Sequence, residues 1–285
     1  MVADQANMNG PGLGTWWVVC RRDLLDLWVG GRALMLLLAY TMVIGAMTFL
    51  MVKSSQLDLS PPKEMVWSTL QICMYVGVFM GLLIGADTLS GARDRAMMET
   101  LLLTPASRTQ LVLGKFLASM SPWPAALAVT FPCVWVVSQG EPILASSLLW
   151  TGFIGTMLIV GFAGLGMLVS FWSNSNRTSL FISLSIYLLF LLPALLPGRA
   201  QKGLVGKFFQ RSNPLAAADQ LLERLIVNNQ TLHTYGDWLK GPVVFLVVVI
   251  VLLFAYAGPR LRLQAGGGAL LPWAWSRAER LPAIR

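Results

Sequence analysis

The stretch that decides the fold runs from Pro142 to Asn176 and reads PILASSLLWTGFIGTMLIVGFAGLGMLVSFWSNSN. None of its 35 residues is Asp, Glu, Lys, Arg or His. A helix needs about 20 mostly apolar residues to cross a bilayer. The start of the stretch is typical of a loop edge and its end, SNSN, is typical of a turn. We therefore predict one membrane-spanning helix here, over residues 146–172.

Five further stretches without a charged residue or histidine are each long enough to span a membrane. The six predicted spans cover residues 33–52, 65–86, 116–138, 146–172, 178–197 and 241–258. Only 12% of the 285 residues are charged and 56% are hydrophobic, whereas a soluble domain carries about 25% charged residues. These observations predict an all-α polytopic membrane protein, with a single transmembrane domain over residues 1–285.

The distribution of basic residues predicts the orientation. If both termini lie in the cytoplasm, 13 of the 21 Lys and Arg residues fall on the cytoplasmic side and eight fall outside. Cytoplasmic loops carry such an excess. Residues 199–240 then form a long extracytoplasmic loop, and residues 260–285 form a cytoplasmic tail. Within the loop, NPLAAADQLLERLIV (213–227) predicts a short amphipathic helix at the outer interface.

The segment before the first span, residues 15–31, predicts an amphipathic helix that lies in the membrane surface. Its apolar side chains share one face of a helical wheel, and Asp23 and Asp26 fall on the opposite face. The alternative is an N-terminal extension of the first span. Gly30 and Gly31 favour a break between the two helices.

The types of residue that are missing exclude several functions. The six predicted spans contain no ionisable residue, which argues against a proton- or ion-driven pump and an intramembrane hydrolase. A nucleotide-binding P-loop cannot be placed, and the single histidine, His233, predicts no metal site. No basic stripe with interleaved aromatic residues stands clear of the spans, so the sequence predicts no nucleic-acid partner. We expect no catalytic residue and no cofactor in this chain.

Three glycines spaced four residues apart, Gly77, Gly81 and Gly85, lie in the second predicted span. Small residues at this spacing let two helices approach closely. We expect them at a tight helix contact, either within the chain or between two subunits. Static packing and helices that shift against each other are both compatible with this pattern.

The most informative segment joins spans two and three and reads GADTLSGARDRAMMETLLLTPASRTQLVLGKFL from Gly85 to Leu117. Charge begins at Asp87, and Leu89–Leu103 has a helical pattern. Thr104 and Pro105 break that helix, and a capping box at residues 107–110 starts the helix that becomes span three. The segment 87–115 is therefore predicted as a helix, a sharp turn and a second helix in the cytoplasm.

This segment resembles the membrane subunits of type 2 ABC transporters, the exporter-type permeases. Their pattern at this place is approximately G-x-I-[SA]-G-E-R-E-R-G-T-L-E-L-L-L-[TS]-[TS]-P-[VI]-S-R-x-E-[IL]-[VL]-L-G-K. The chain departs from it at Ala92, Ala96 and Gln110. The matching positions are Gly91, Arg93, Arg95, Glu99, Leu101, Leu102, Pro105, Ser107, Arg108, Leu113, Gly114 and Lys115, with Asp94 in place of a second Glu.

The resemblance implies a membrane subunit that couples ATP hydrolysis by a separate ATPase to export across the bacterial plasma (inner) membrane. Two permease copies, or one copy and a homologous permease, would pair. Two cytoplasmic ATPase subunits would hold ATP and Mg²⁺ and bind the segment as a coupling helix. The implied coupling residues are Gly91, Arg93, Asp94, Arg95, Glu99, Thr104, Pro105, Ser107 and Arg108.

Two functions remain open. The apolar spans favour an amphiphilic substrate, exported by the complex. Alternatively, some relatives are thought to transmit motion to an extracytoplasmic partner protein without passing a substrate, as in metalloenzyme maturation systems. In that case the loop 199–240 would be the contact.

Overall fold

The computed structural model describes residues 15–53, 61–94, 108–138, 140, 142–173, 175–195, 210–228 and 236–257, and these residues form helices and turns without strands. The helices are α1 (Thr15–Val29), α2 (Arg32–Lys53), α3 (Pro62–Asp94), α4 (Arg108–Met120), α5 (Pro122–Ser138), α6 (Ile143–Trp172), α7 (Asn176–Leu195), α8 (Pro214–Ile226) and α9 (Asp237–Val251), which continues as a π-helix over Leu252–Ala257.

Six helices among the described residues are long and apolar enough to cross a membrane. They cover Arg32–Lys53, Pro62–Asp94, Thr109–Ser138, Ile143–Trp172, Asn176–Ala194 and Asp237–Ala255. The predicted class, an all-α polytopic membrane protein with six candidate spans, is confirmed. The third span consists of α4 and α5, which are separated at Ser121 because Pro122 has no N–H to donate to the preceding turn.

Helices α3 and α6 form the centre of the bundle. In each of them 67% of the most apolar window is buried, compared with 17–22% in α2, α7 and α9. The outer helices expose many large apolar side chains, such as Met35 on α2, Phe181 on α7 and Val247 on α9. In water these surfaces would be unfavourable, and they suit a hydrocarbon solvent.

Glycines allow α3 and α6 to pack backbone against backbone. A Cβ atom built on Gly85 would lie 2.2 Å from the carbonyl oxygen of Ala163, and one built on Gly166 would lie 2.3 Å from the carbonyl oxygen of Leu82. Real Cβ atoms do not approach so closely. Glycine at both positions therefore permits the closest contact that we describe between these two helices.

A buried polar cluster ties α2, α3 and α5 together. The Tyr40 hydroxyl donates to Cys73 Sγ at 2.8 Å and lies 2.5 Å from Thr130 Oγ1. Thr130 Oγ1 also donates to the carbonyl of Ala126, four residues earlier. All three clustered side chains are buried, so each polar atom finds its partner within the bundle.

Helix α8 is the helix that the sequence predicts within the long loop, and it packs into the bundle. Asn213 caps it, because its side-chain oxygen accepts from the backbone N–H groups of Leu215 and Ala216. Its apolar face is almost completely buried against α3, α6, α7 and α9. The contacts place its apolar face against helices of the same chain, and its position at the outer membrane interface stays a prediction.

Candidate functional site

The candidate site lies at one end of the bundle, called here the charged end. There α1, the last two turns of α3, the start of α4 and the turn between α6 and α7 meet. The opposite end, where α8 packs, is called the far end. Helix α3 continues past Asp87 to Asp94, eight residues beyond the predicted span, because its charged side chains find partners on neighbouring elements.

Asp87 is the first of these residues. Its carboxylate accepts a hydrogen bond from the Arg32 guanidinium and another from Asn176 Nδ2 at 2.8 Å. One turn later, a Cβ atom on Gly91 would lie 2.4 Å from the Asp87 carboxylate. Glycine at position 91 therefore leaves the space in which the Asp87 carboxylate lies.

Arg93 caps the end of α6. It donates from Nη1 to the carbonyl of Ser173 at 2.8 Å and from Nη2 to the carbonyl of Phe171 at 3.0 Å. The last carbonyls of a helix have no partner within the helix and carry the negative end of its dipole. A planar cation with several N–H groups suits two neighbouring carbonyls.

Asp94 acts on the next helix in a matching way. Its Oδ2 accepts from the backbone N–H of Asn176 at 3.1 Å, at the first residue of α7. A carboxylate at a helix N-terminus satisfies a free N–H and interacts favourably with the helix dipole. Arg93 and Asp94 together therefore hold the end of α3 to both sides of the α6–α7 turn.

Serine hydroxyls strengthen the same junction. Ser170 Oγ accepts from the backbone N–H of Ser90 at 2.7 Å, and Ser90 Oγ contacts Asn176 Oδ1 at 3.0 Å. Ser179 Oγ on α7 donates to the carbonyl of Ala86 at 2.9 Å. These bonds join three helices within a buried region, where unpaired polar groups would be costly.

Helix α1 is fixed to α4 rather than to α3. A Cβ atom on Gly114 would lie 2.8 Å from the carbonyl oxygen of Trp16, so glycine lets the two backbones touch. The next residue, Lys115, is buried and forms an ion pair with Asp23 at 3.0 Å. Trp28 Nε1 donates to Ser121 Oγ at 3.0 Å, at the break between α4 and α5.

Arg32 links α1, which packs on α4, to α3, which packs on α6 and α7. It follows the α1–α2 turn, which Gly31 allows with a φ of 77°, and it forms ion pairs with Asp26 of α1 at 2.5 Å and with Asp87 of α3. A cleft of about 210 Å³ opens beside these pairs. Its lining includes Arg22, Asp23, Asp26, Arg32, Asp87 and Lys115.

The remaining motif residues lie outside this geometry. Arg95, Glu99, Thr104, Pro105 and Ser107 fall in the range 95–107, outside the described residues. Helix α4 begins at Arg108, whose side chain is also outside the described part.

The glycines of span two lie along one contact with α5 and α6. A Cβ on Gly77 would meet the Trp123 ring at 2.6 Å, and one on Gly81 would meet Ile159 Cγ2 at 3.1 Å. Gly85 meets the backbone of Ala163, as described above. In the described chain these three positions therefore face its own helices.

Sequence reasoning missed several residues of this site. Asp87, Asn176, Asp23 and Arg32 were not among the predicted coupling residues, although they connect the elements around it. One available signal was the Gly114–Lys115 pair, since a charge inside an apolar helical pattern requires a partner. Among the described residues, no group of three or more His, Cys, Asp or Glu side chains could hold a metal ion.

Comparison with known proteins adds one finding. The family model described as ABC-2 family transporter protein matches residues 26–258, which is most of the chain and includes every span. A search of curated proteins gives no significant match.

Proposed function

Since the chain belongs to the ABC-2 family and is a transmembrane subunit of an ABC transporter, we propose that it couples ATP hydrolysis by separate ATPase subunits to export of an amphiphilic substrate. Two permease subunits pair in a bacterial plasma membrane, with both termini in the cytoplasm. Two ATPase subunits, which hold ATP and Mg²⁺, bind at the charged end.

The observation that carries this proposal is that the helices on either side of residues 95–107 bind different neighbours. The segment leaves α3 where Arg93 and Asp94 bind the α6–α7 turn. It returns into α4, which holds α1 through Gly114 and Lys115. An ATPase that displaces this segment would therefore move α3 with α6 and α7, and α4 with α1.

Arg32 and Asp87 form a connection between those two groups of helices. The two side chains are partly buried, with 33% and 17% of their surface exposed, so this pair costs more to break than an ion pair in open solvent. The two groups also share a buried apolar cluster that includes Leu89 of α3, Phe116 of α4 and Met167 of α6, so a movement of one group against the other must repack this cluster.

The experiment changes one residue of the segment and the first residue of α4. The double variant Glu99→Ala and Arg108→Ala should retain its folded spans and lose ATPase subunits in a co-purification. Truncating a buried interfacial charge typically costs about 2–5 kcal/mol of binding free energy.

The matched control is Asp237→Ala with Lys240→Ala, an exposed ion pair of 2.6 Å at the far end. It should leave ATPase binding unchanged. The isolated chain should hydrolyse no ATP and should stimulate hydrolysis only with its partner. Full ATPase recovery and normal activity in the Glu99/Arg108 double variant would contradict the coupling role.

A second function, transmission of motion to an extracytoplasmic protein, is favoured by the position of α8. Leu215, Leu221 and Leu222 are almost completely buried, so α8 follows any movement of the helices that it contacts. Co-purification of a stoichiometric extracytoplasmic protein, together with no transport in vesicles, would favour this function over export.

A further inference from the structure

A carboxylate lies inside the far end of the bundle, and none of its hydrogen-bond partners among the described residues is a cation. Asp219 of α8 accepts at Oδ2 from Gln71 Nε2 at 2.7 Å and from the Tyr75 hydroxyl at 3.1 Å. Its second oxygen, Oδ1, is buried and has no hydrogen-bond partner among the described residues. A carboxylate accepts up to about four hydrogen bonds, so this one has capacity left for a ligand.

The depth of Asp219 makes its charge unusual. Gln71 and Tyr75 lie six and ten residues into the uncharged stretch that begins at Met65, or about 9 and 15 Å along the helix. The hydrocarbon core of a bilayer is about 30 Å thick. The carboxylate therefore meets α3 between the edge and the middle of that core, where charged groups mark functional sites.

The neighbouring elements supply no described cation to Asp219. On its own helix, Glu223 adds a second negative charge one turn later, and Arg224 lies over the Trp238 ring at 5.5 Å. From α9, Asp237 and Lys240 pair with each other. Helix α6 carries no ionisable residue.

The ionisable groups of α3 and α7 beside Asp219 are tyrosines, whereas Lys63 of α3 lies eight residues before Gln71 and lines a cavity at the other end of α8, with Leu225 and Ile226. Tyr75 donates to Asp219, and the Tyr187 hydroxyl donates to the backbone carbonyl of Tyr75 at 3.2 Å. Burial, and to a lesser extent the charge of Glu223, raise the pKa of Asp219 to about 6 although Gln71 and Tyr75 stabilise the ionised form. The carboxylate is still mostly ionised at neutral pH.

Aromatic rings lie beside this charge. Tyr75 and Phe79 are one turn apart on α3 and partly exposed, and the Phe79 and Tyr187 ring centroids are 4.8 Å apart. A carboxylate next to aromatic faces attracts organic cations, which interact with both the charge and the rings. An alkyl or aryl body would suit the apolar surface around it.

We propose that Asp219, Gln71 and Tyr75 form a binding site for the charged group of an amphiphilic organic cation, such as a quaternary ammonium or phosphonium ion. The proposal rests on the export function proposed above, for which it names the substrate class. Asp219 contacts the cation, Gln71 and Tyr75 orient the carboxylate, and the rings accept the apolar body.

The test is equilibrium dialysis of tetraphenylphosphonium against the purified full chain in a neutral detergent at pH 7.5. Wild type should show saturable binding, and Asp219→Asn should weaken it at least about tenfold, which corresponds to about 1.4 kcal/mol. Asparagine retains an oxygen that accepts from Gln71 and Tyr75, so the variant should fold. The matched control is Glu223→Gln, a partly exposed carboxylate four residues away on the same helix, which should change the dissociation constant less than about twofold.

Acidification separates binding from stability. As the pH falls from 7.5 to 5, Asp219 is protonated and wild-type binding should weaken about tenfold, as expected one unit below a pKa of about 6. The free energy of unfolding should rise as the pH falls and binding weakens. The reason is that a carboxyl group whose pKa is raised in the folded state destabilises the fold when it ionises. Asp219→Asn should therefore melt higher than wild type at pH 7.5, and this difference should shrink at pH 4.

Wild-type binding that Asp219→Asn does not weaken would overturn the inference, and so would the absence of saturable binding to wild type. Tetraphenylborate, an anion of the same shape, should bind independently of Asp219, and equal dependence of both ions on Asp219 would also contradict the site. Because no ATPase is present, this result is independent of the co-purification experiment at the charged end.

Discussion

Replacing Gly85 with alanine tests the central packing of the bundle. The added Cβ would lie 2.2 Å from the Ala163 carbonyl oxygen and 3.0 Å from its carbonyl carbon, and these are backbone atoms that cannot rotate away. An ordinary contact needs at least about 3.4 Å. Helices α3 and α6 would therefore have to separate by about 1 Å, which also loosens the contact between Gly166 and the Leu82 carbonyl.

The expected cost follows from this overlap. Forcing an extra methyl group into a well-packed core costs about 1–3 kcal/mol. Gly152→Ala is the matched control, because it lies on α6 and a Cβ there would meet nothing within 4 Å. In an open helical position alanine is better than glycine by about 0.5–1 kcal/mol. The two variants should therefore differ by about 1.5–4 kcal/mol in unfolding free energy.

The assay is thermal unfolding of each purified variant in the same detergent, followed by ATPase stimulation after assembly with the partner subunits. Gly85→Ala should unfold several degrees below Gly152→Ala, since about 2–4 °C accompanies each kcal/mol in domains near this size. Equal melting temperatures would refute the backbone contact between α3 and α6.

Two further changes test single interactions. Arg93→Ala should leave two carbonyls at the end of α6 without their donor, which costs about 1–3 kcal/mol. It should lower the melting temperature and the ATPase stimulation together, and a normal value of both would contradict the capping role. Tyr40→Phe removes buried hydrogen bonds in the membrane, which average about 0.6 kcal/mol with a maximum near 1.7. A small drop in melting temperature with unchanged ATPase stimulation is expected, and a higher melting temperature would contradict a stabilising role.

The number of candidate spans could be predicted from the sequence because it depends on a local property. A run of about 20 apolar residues has few stable positions other than a helix across the bilayer. The predicted Asn-Pro start of α8 is also local, because Asn213 caps the helix through residues two and three positions later.

The pairing of Asp219 and the length of α3 could not be predicted from the sequence, because both depend on contacts between distant parts of the chain. Asp219 meets Gln71 across 148 positions, and nothing near either residue specifies the pair. The end of α3 is a similar case. A rule that ends a span at its first charge stops before Asp87, whereas Arg32 and Asn176 from other helices satisfy the Asp87 carboxylate and allow α3 to continue.

Helix α3 connects the two proposed sites without an intermediate element. It is one continuous helix of 33 residues, about 50 Å long at 1.5 Å per residue. The charged end contains its last two turns, and Tyr75, which contacts Asp219, lies 12 residues before Asp87, or about 18 Å along the same axis.

Because α3 and α6 touch through backbone atoms, α3 cannot slide along α6 without breaking that contact. A displacement at the charged end would therefore rotate or tilt both helices together and change the distance between Tyr75 and α8. Cation affinity at Asp219 should then depend on whether the ATPase subunits hold nucleotide, and the same coupling free energy should make the cation alter nucleotide affinity in return.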